Sequence, residues 1–123
     1  MQSPKILIAD DERSILWSTK LLLEGLGYRV ATVSDARDIL GAVEAEAPDL
    51  LLQDVRMPGL DLDALLPILR RTRHGAGLPI VIFTAGMDAS EVVERVSASG
   101  YIEKPFQPHE LVTLIDQTIR VRA

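Results

Sequence analysis

The chain has no cysteine and few aromatic residues, with one tryptophan, two tyrosines and two phenylalanines among 123 residues. The missing cysteines exclude disulfides, thiolate metal sites and cysteine nucleophiles, and they agree with a reducing cytoplasm, where we expect the protein to act. No stretch reaches the roughly 18 apolar residues of a membrane span, and the apolar run over 6–9 is too short for a signal peptide. We therefore expect no membrane association.

Positive charge is also scarce, because 13 lysines and arginines stand against 18 aspartates and glutamates, a net charge of −5. An acidic chain repels the nucleic-acid backbone, so we expect no direct binding of DNA or RNA. The same balance suits a site that gathers carboxylates around a cation. The length fits one domain, and we take residues 1–123 as that domain. Both a complete protein and the first domain of a longer one are compatible with this sequence.

Short apolar runs alternate with segments of helical periodicity. Continuous runs such as KILIA and PIVIF are typical of strands buried on both faces of a parallel sheet. The predicted strands cover residues 5–9, 28–33, 49–53, 79–83 and 100–103. The predicted helices cover residues 13–26, 35–46, 63–73, 89–98 and 108–121. This strict alternation predicts an α/β fold with an open parallel sheet and helices on both faces.

Polar side chains follow four of the predicted strands. Asp10 and Asp11 follow the first strand, and Asp54 follows the third. Thr84 follows the fourth and Lys104 the fifth. Because the carboxyl ends of parallel strands share one edge of a sheet, these side chains should meet in one crevice. Three crowded carboxylates repel one another, and a hard divalent cation such as Mg²⁺ relieves that repulsion.

Each of these residues also has an ordinary structural explanation. An aspartate after a strand is commonly a turn or helix-capping residue, and a threonine at a strand end fits its β-propensity. A lysine before a proline is commonly a solvated side chain. The occurrence of all of them at four strand ends favours a site. With a lysine and a hydroxyl beside the carboxylates, that site suits a small, highly charged oxyanion.

Four segments, ILIADDE, LLLQDVRMPG, VIFTA and GYIEKPF, occur in an order and at a spacing that resemble a known family. The sequence resembles the receiver domains of two-component response regulators from one end to the other. The resemblance implies a doubly wound (βα)5 flavodoxin-like fold with a parallel five-stranded sheet of order 2-1-3-4-5. It also implies a signalling switch that catalyses only its own phosphorylation and dephosphorylation, not an enzyme with an external product.

The resemblance implies a role for each matching residue of the site. Asp54 would accept a phosphoryl group from a histidine kinase or a histidine phosphotransfer protein. Lys104 would pair with the phosphoryl oxygens. Asp11 and Asp54 would hold Mg²⁺ directly, Asp10 through water, and Arg56 through its backbone carbonyl.

The resemblance also implies how the switch changes shape. The Thr84 hydroxyl would swing toward the phosphoryl group while Tyr101 moves inward. The surface formed by the fourth helix, fifth strand and fifth helix would then change for a downstream effector protein or domain. Because the fourth helix is short, we expect the change to concentrate between Gly86 and Tyr101. The Lys104–Pro105 peptide bond is expected to be cis, as is typical of the family.

Trp17 is the single tryptophan and lies on the predicted first helix. Helical periodicity points it away from the core, beside Leu21 one turn later. The same periodicity predicts four core-facing residues: Ile15, Thr19, Leu22 and Leu26. In the family that the sequence resembles, this helix docks the histidine-bearing helices of the partner, so Trp17 and Leu21 are candidate contact residues. The alternative is an incidental exposed pair.

Two rival functions compete with a phosphorylated switch. A pseudo-receiver would keep the fold and bind partners without phosphate, and the complete polar set at the strand ends argues against it. A phosphohydrolase that forms an aspartyl-phosphate would need a second acid two residues after Asp54, where Arg56 stands. A nucleotide- or flavin-binding fold would need a glycine-rich loop after the first strand, and the sequence has none there.

Overall fold

A computed structural model describes residues 3–84, 89–96 and 98–122. Gly86, at the start of the segment expected to change, lies outside the described residues, as do the two ends of the predicted domain, 1–2 and 123. The elements in chain order are β1 (Lys5–Ala9), α1 (Arg13–Gly25), β2 (Arg29–Val33), a 3-10 turn (Ala36–Asp38), α2 (Ile39–Glu46), β3 (Leu50–Asp54), α3 (Leu62–Leu69), β4 (Ile80–Thr84), α4 (Ala89–Val96), β5 (Gly100–Glu103) and α5 (Pro108–Arg122).

The five strands form one parallel sheet in the order β2-β1-β3-β4-β5, which confirms the predicted fold and strand order. The strand order reverses between β1 and β3, and such a reversal opens a crevice beyond the carboxyl ends of the two strands. Ala9 pairs with Gln53 in the register, so the residues that follow them emerge side by side. The topology therefore puts Asp10 next to Asp54.

Alternate strand residues face two separate core layers. Leu51, Ile80 and Ile82 belong to the layer covered by α2 and α3, whose buried residues include Val43 and Leu66. Leu50, Leu52, Val81 and Phe83 belong to the layer covered by α1 and α5. Because helices cover both faces, nearly every position of the central strands is buried, which explains their continuous apolar runs.

The first helix departs from its predicted core face. Its buried residues are Leu16, Thr19 and Leu23, whereas Leu26 is 54% exposed, so the prediction for Leu26 was wrong. The helix ends at Gly25, and Leu26 therefore leaves the stripe that helical periodicity assigns to it. The outward orientation of Trp17 and Leu21 is confirmed, since they are 60% and 50% exposed.

The third helix ends four residues before its predicted end at residue 73. After Leu69 the chain forms a hydrogen-bonded loop instead of another helical turn. The Arg70 guanidinium donates to the carbonyl oxygens of Gly75 and Leu78, at 2.9 and 2.6 Å. The Thr72 hydroxyl donates to the Leu69 carbonyl at 2.7 Å and accepts from the Gly75 N–H. These bonds stabilise the loop in place of a longer helix.

Among the helices described, none is both long and apolar enough to cross a membrane.

Ala47 is the C-cap residue directly after α2 and has a left-handed backbone conformation, with φ 45° and ψ 58°. A side chain with a Cβ is disfavoured in that region and glycine is not. We expect Ala47→Gly to raise the free energy of unfolding by about 0.5–1 kcal/mol, measured by urea denaturation. Ala45→Gly, inside the same helix and exposed, should lower it by a similar amount. Destabilisation by both variants would contradict the conformational explanation.

Candidate functional site

Three carboxylates meet at the crevice between β1 and β3. Asp10 and Asp11 follow β1, Asp54 ends β3, and one oxygen from each lies within 4.8 Å of the other two. Asp10 is fully buried and Asp54 is 3% exposed, while Asp11 is the most accessible of the three. An all-oxygen, strongly negative set of this kind fits a hard divalent cation such as Mg²⁺ better than a softer metal.

Asp10 is held in place at both carboxylate oxygens. The Glu12 N–H donates to its Oδ1 at 2.9 Å, and Lys104 Nζ donates to its Oδ2 at 2.8 Å. The Asp10 N–H also donates to the Val33 carbonyl on β2 at 3.2 Å. These bonds hold the Asp10 carboxylate in place, and its expected role as a ligand acting through water stays a prediction.

Lys104 connects the end of β5 to the acidic cluster. Its Nζ lies 2.8 Å from Asp10 Oδ2 and 3.7 Å from Asp54 Oδ1, with its side chain 9% exposed. The Phe83 ring supports the ammonium from one side, with its centroid 4.4 Å from Nζ. The Lys104 N–H donates to the Thr84 carbonyl at 2.8 Å, and the expected cis Lys104–Pro105 bond is present.

The pKa of the Asp54 carboxyl lies above its ordinary value. Burial raises the pKa of its carboxyl to about 6, and the negative charge of Asp10 adds to the effect. The Lys104 ammonium lowers the pKa and so opposes the rise, and the Arg56 N–H opposes it less, through a 3.3 Å hydrogen bond to Asp54 Oδ1. One ammonium therefore faces three carboxylates, and the remaining negative charge favours binding of a cation.

The predicted residues do not all contact one another. Asp10, Asp11, Asp54 and Lys104 come together as predicted, and the Arg56 amide lies against Asp54, whereas the role expected of its carbonyl stays a prediction. Thr84 ends β4 fully buried, and within the described part of the chain its hydroxyl has no hydrogen-bond partner.

Two residues of the site were not identified from the sequence. The Phe83 ring lies against the Lys104 ammonium. No feature of the sequence distinguishes Phe83 from an ordinary aromatic residue of the core. Gln53 is fully buried directly before Asp54, and its Nε2 donates to the Asp54 carbonyl oxygen at 2.7 Å. The signal for Gln53 was available: an amide stands in the otherwise apolar run LLLQ, where strand residues are buried on both faces.

A cleft of about 560 Å³ adjoins the site between α1 and the segment that joins β5 to α5. Its apolar walls include Ile15 and Leu22 on one side and Phe106 on the other, and Lys104 lies at its edge. Trp17 is on another flank of α1, where it lines a smaller pocket of about 290 Å³ together with Thr32 of β2. The cleft and Trp17 therefore lie on different faces of α1.

Comparison with known families and relatives gives a consistent result. The family described as "Response regulator receiver domain" matches residues 6–116. The DNA-binding transcriptional regulator NtrC of Klebsiella pneumoniae is 38% identical over 121 residues, which are 97% of this chain and 25% of that protein. The DNA-binding response regulator MtrA of Mycobacterium leprae is 36% identical over 118 residues, 94% of this chain and 51% of that protein. The chain thus spans a quarter to a half of these relatives.

Solved structures agree with these relatives. A CheY-like response regulator receiver domain protein from Methanospirillum hungatei has a TM-score of 0.84 and 31% identity, covering 97% of this chain and 95% of that one. The receiver domain of sensor histidine kinase PA1611 from Pseudomonas aeruginosa also has a TM-score of 0.84, with 28% identity and coverage of 95% and 98%. That structure has a magnesium ion coordinated in its active site cleft.

The raised pKa of Asp54 predicts a pH-dependent stability difference in metal-free protein. The pKa of the Asp54 carboxyl is 3.8 in the unfolded chain and about 6 in the folded protein, so the folded state binds the proton more tightly. The folded state therefore loses stability as pH rises from about 4 to about 6. We expect Asp54→Asn, which carries no charge, to be more stable than wild type by about 1–3 kcal/mol above pH 6. The gain should shrink as pH falls toward 4.

Urea denaturation in a chelating buffer at several pH values measures this difference. Asp49→Asn, at the other end of β3, is the matched control and should show no such gain. Added Mg²⁺ should narrow the difference, because the ion stabilises only the protein that keeps the carboxylate. A gain of equal size at pH 4.5 and pH 7.5 would contradict the electrostatic explanation.

Proposed function

The chain belongs to the response regulator receiver domain family, and from that premise we propose that it is a phosphorylation-dependent signalling switch. Membership implies phosphorylation-based signalling in a two-component system. We propose further that residues 1–123 form one receiver domain and that Asp54 is its phosphoryl acceptor. The observation that carries this proposal is the buried cluster of Asp10, Asp11 and Asp54 with one ammonium against it.

The proposed reaction moves a phosphoryl group from a histidine kinase or a histidine phosphotransfer protein. An Asp54 carboxylate oxygen attacks phosphorus, the bond from phosphorus to the donor histidine nitrogen breaks, and the electron pair stays with the imidazole. With a pKa of about 6, Asp54 is mainly ionised at neutral pH and can act as this nucleophile. Lys104 Nζ, 3.7 Å from Asp54 Oδ1, is close enough to pair with a phosphoryl oxygen.

We assign the metal site to the side chains of Asp11 and Asp54, to Asp10 through water and to the Arg56 carbonyl. A bound Mg²⁺ would neutralise charge on the phosphoryl oxygens during transfer. The site's own residues do the rest: Lys104 and the Glu12 N–H fix Asp10, and the Arg56 N–H orients Asp54. Hydrolysis of the acyl phosphate later resets the switch. The domain would thus catalyse only its own modification.

The proposed output is a change in the face formed by α4, β5 and α5. A phosphoryl group on Asp54 would attract the Thr84 hydroxyl, which has no partner in the described residues. Tyr101, 43% exposed, lies outside the core and is available to move inward. A downstream effector protein or domain would read this face. NtrC and MtrA extend well beyond the region matched here, which supports an effector as the second partner.

A pseudo-receiver that needs no phosphate is the weaker proposal. Burying carboxylates and an ammonium costs free energy, and a purely structural module gains nothing from it. Replacing a buried ion pair by apolar residues is commonly neutral or stabilising. The retained charges at Asp10, Asp54 and Lys104 therefore favour a phosphorylated switch.

The acceptor assignment predicts one specific labelling result. Acetyl phosphate with Mg²⁺ should add one phosphoryl group to the wild-type protein, and Asp54→Asn should abolish the addition. Asp11→Ala should reduce it strongly, because one carboxylate fewer weakens the hold on the ion. Intact-mass spectrometry measures the added mass, and Asp49→Asn should label like wild type. Full labelling of the Asp54→Asn protein would move the acceptor to another residue.

We propose that the histidine-bearing partner docks in the cleft beside Lys104. Ser18 is an exposed residue of α1 that lines this cleft, so Ser18→Arg should obstruct it without disturbing the core. Transfer from the cognate phosphohistidine donor should slow by about tenfold, while labelling by acetyl phosphate stays unchanged. Rapid-quench transfer assays measure the first rate and mass spectrometry the second.

Trp17→Ala tests the surface predicted from the sequence, on another flank of the same helix. Slowing by both variants would extend the docking surface to Trp17. Slowing by Trp17→Ala alone would move docking away from the cleft and contradict the proposal.

A further inference from the structure

Two buried polar atoms are left without a hydrogen bond in the part of the chain that the structure describes. They are Gln53 Oε1 and Thr84 Oγ1, on side chains that are both fully buried. A buried polar atom without a partner is costly, so each such atom needs an explanation. That both stand at the strand ends beside Asp54 suggests one explanation for the two.

The two side chains point to the same side of the sheet. Gln53 pairs with Ile82 in the register of β3 and β4, which places Thr84 two residues beyond Gln53's neighbour. Leu51 and Ile82 both belong to the core layer under α2 and α3. Because alternate strand residues share a face, Gln53 and Thr84 face that layer too, with Cα atoms about 8 Å apart. A glutamine side chain can span that separation.

The unpartnered atoms are also chemically complementary. Gln53 Nε2 donates to the Asp54 carbonyl oxygen, which can only accept, so the orientation of the amide is determined. Nε2 also contacts Met57 Sδ at 3.4 Å. The remaining amide atom is therefore an acceptor, and the Thr84 hydroxyl offers a donor. In this structure the two atoms are not bonded to each other, so a contact between them requires either a change of side-chain rotamer or a water between the two.

We propose that Gln53 is the partner of the Thr84 hydroxyl in the unphosphorylated protein, bonded directly or through one buried water. This inference rests on the proposed function, since it makes Gln53 a positioning residue that acts through Thr84. When Asp54 is phosphorylated, the phosphoryl oxygens draw the hydroxyl away and the bond to Gln53 is lost. Gln53 therefore stabilises the resting state, and its removal should favour the activated one.

A double-mutant cycle with beryllofluoride, which stands in for the phosphoryl group, tests the coupling. Gln53→Met keeps the length of the side chain and removes both the acceptor and the Nε2 donor to the Asp54 carbonyl oxygen. It should tighten beryllofluoride binding in the presence of Mg²⁺ by about two- to tenfold, as expected for the loss of one hydrogen bond from the resting state. In a Thr84→Val background the tightening should be lost, because only the effect of the missing Nε2 bond to the Asp54 carbonyl oxygen remains there. Leu51→Met, on the same face and without a polar group to lose, is the control for core repacking.

Equal tightening by Gln53→Met in both backgrounds, or none in either, would overturn the inference, because a merely structural effect does not depend on the Thr84 hydroxyl. Failure of the wild-type protein to bind beryllofluoride would contradict the proposed function instead.

The resting state also gives a readout that needs no variant. The Thr84 hydroxyl proton should exchange slowly enough to be observed by NMR in the unphosphorylated protein, with a cross-relaxation peak to the Gln53 side chain or to a bound water next to it. Rapid exchange with solvent would overturn the inference even if Gln53→Met did not fold.

Discussion

The buried ion pair between Lys104 and Asp10 is the interaction on which the rest of the site depends. It joins the end of β5 to the end of β1 across two intervening strands, at 2.8 Å and almost out of contact with water. Burial raises the pKa of Asp54, the charge of Asp10 adds to the rise, and the single Lys104 ammonium opposes it only in part, so the pKa stays above its usual range. The same excess of negative charge favours a cation at this site, and in the proposed reaction a bound cation and Lys104 would together offset the charge of a phosphoryl group.

Much of the fold could be predicted from the sequence, since strands covered on both faces leave continuous apolar runs and the helices between them leave a clear period. Periodicity alone could not determine the strand order, because several parallel orders suit the same alternation; the family resemblance supplied it. The end of α3 was missed because Arg70 and Thr72 bond to loop carbonyls that the pattern does not reveal. Leu26 was misplaced because α1 ends one residue before it.

The site could be predicted as far as strand ends determine it. Asp10, Asp11 and Asp54 converge because Ala9 and Gln53 are neighbours in the register, a consequence of topology. Contacts between side chains are a different matter. The position of Phe83 under the Lys104 ammonium depends on how β5 ends relative to β4, and no spacing rule contains that geometry. The polar residue Gln53 in an apolar strand was visible in the sequence, but its role could be inferred only from the hydrogen bonds that the structure shows.

A two-state switch needs its resting state to be stable, but only slightly. A phosphoryl group can shift such an equilibrium only by the difference between its contacts in the two states, so in the proposed switch every resting-state contact of Thr84 would subtract from the response. A hydroxyl left without any partner would favour activation even without phosphate, because a buried donor is costly to leave unpaired. A strong ionic partner would have the opposite fault and hold Thr84 against the phosphoryl group. The neutral amide of Gln53 would lie between these extremes: the proposed hydrogen bond to Thr84 would be weak enough for a charged phosphoryl oxygen to displace and strong enough to keep an unphosphorylated domain at rest.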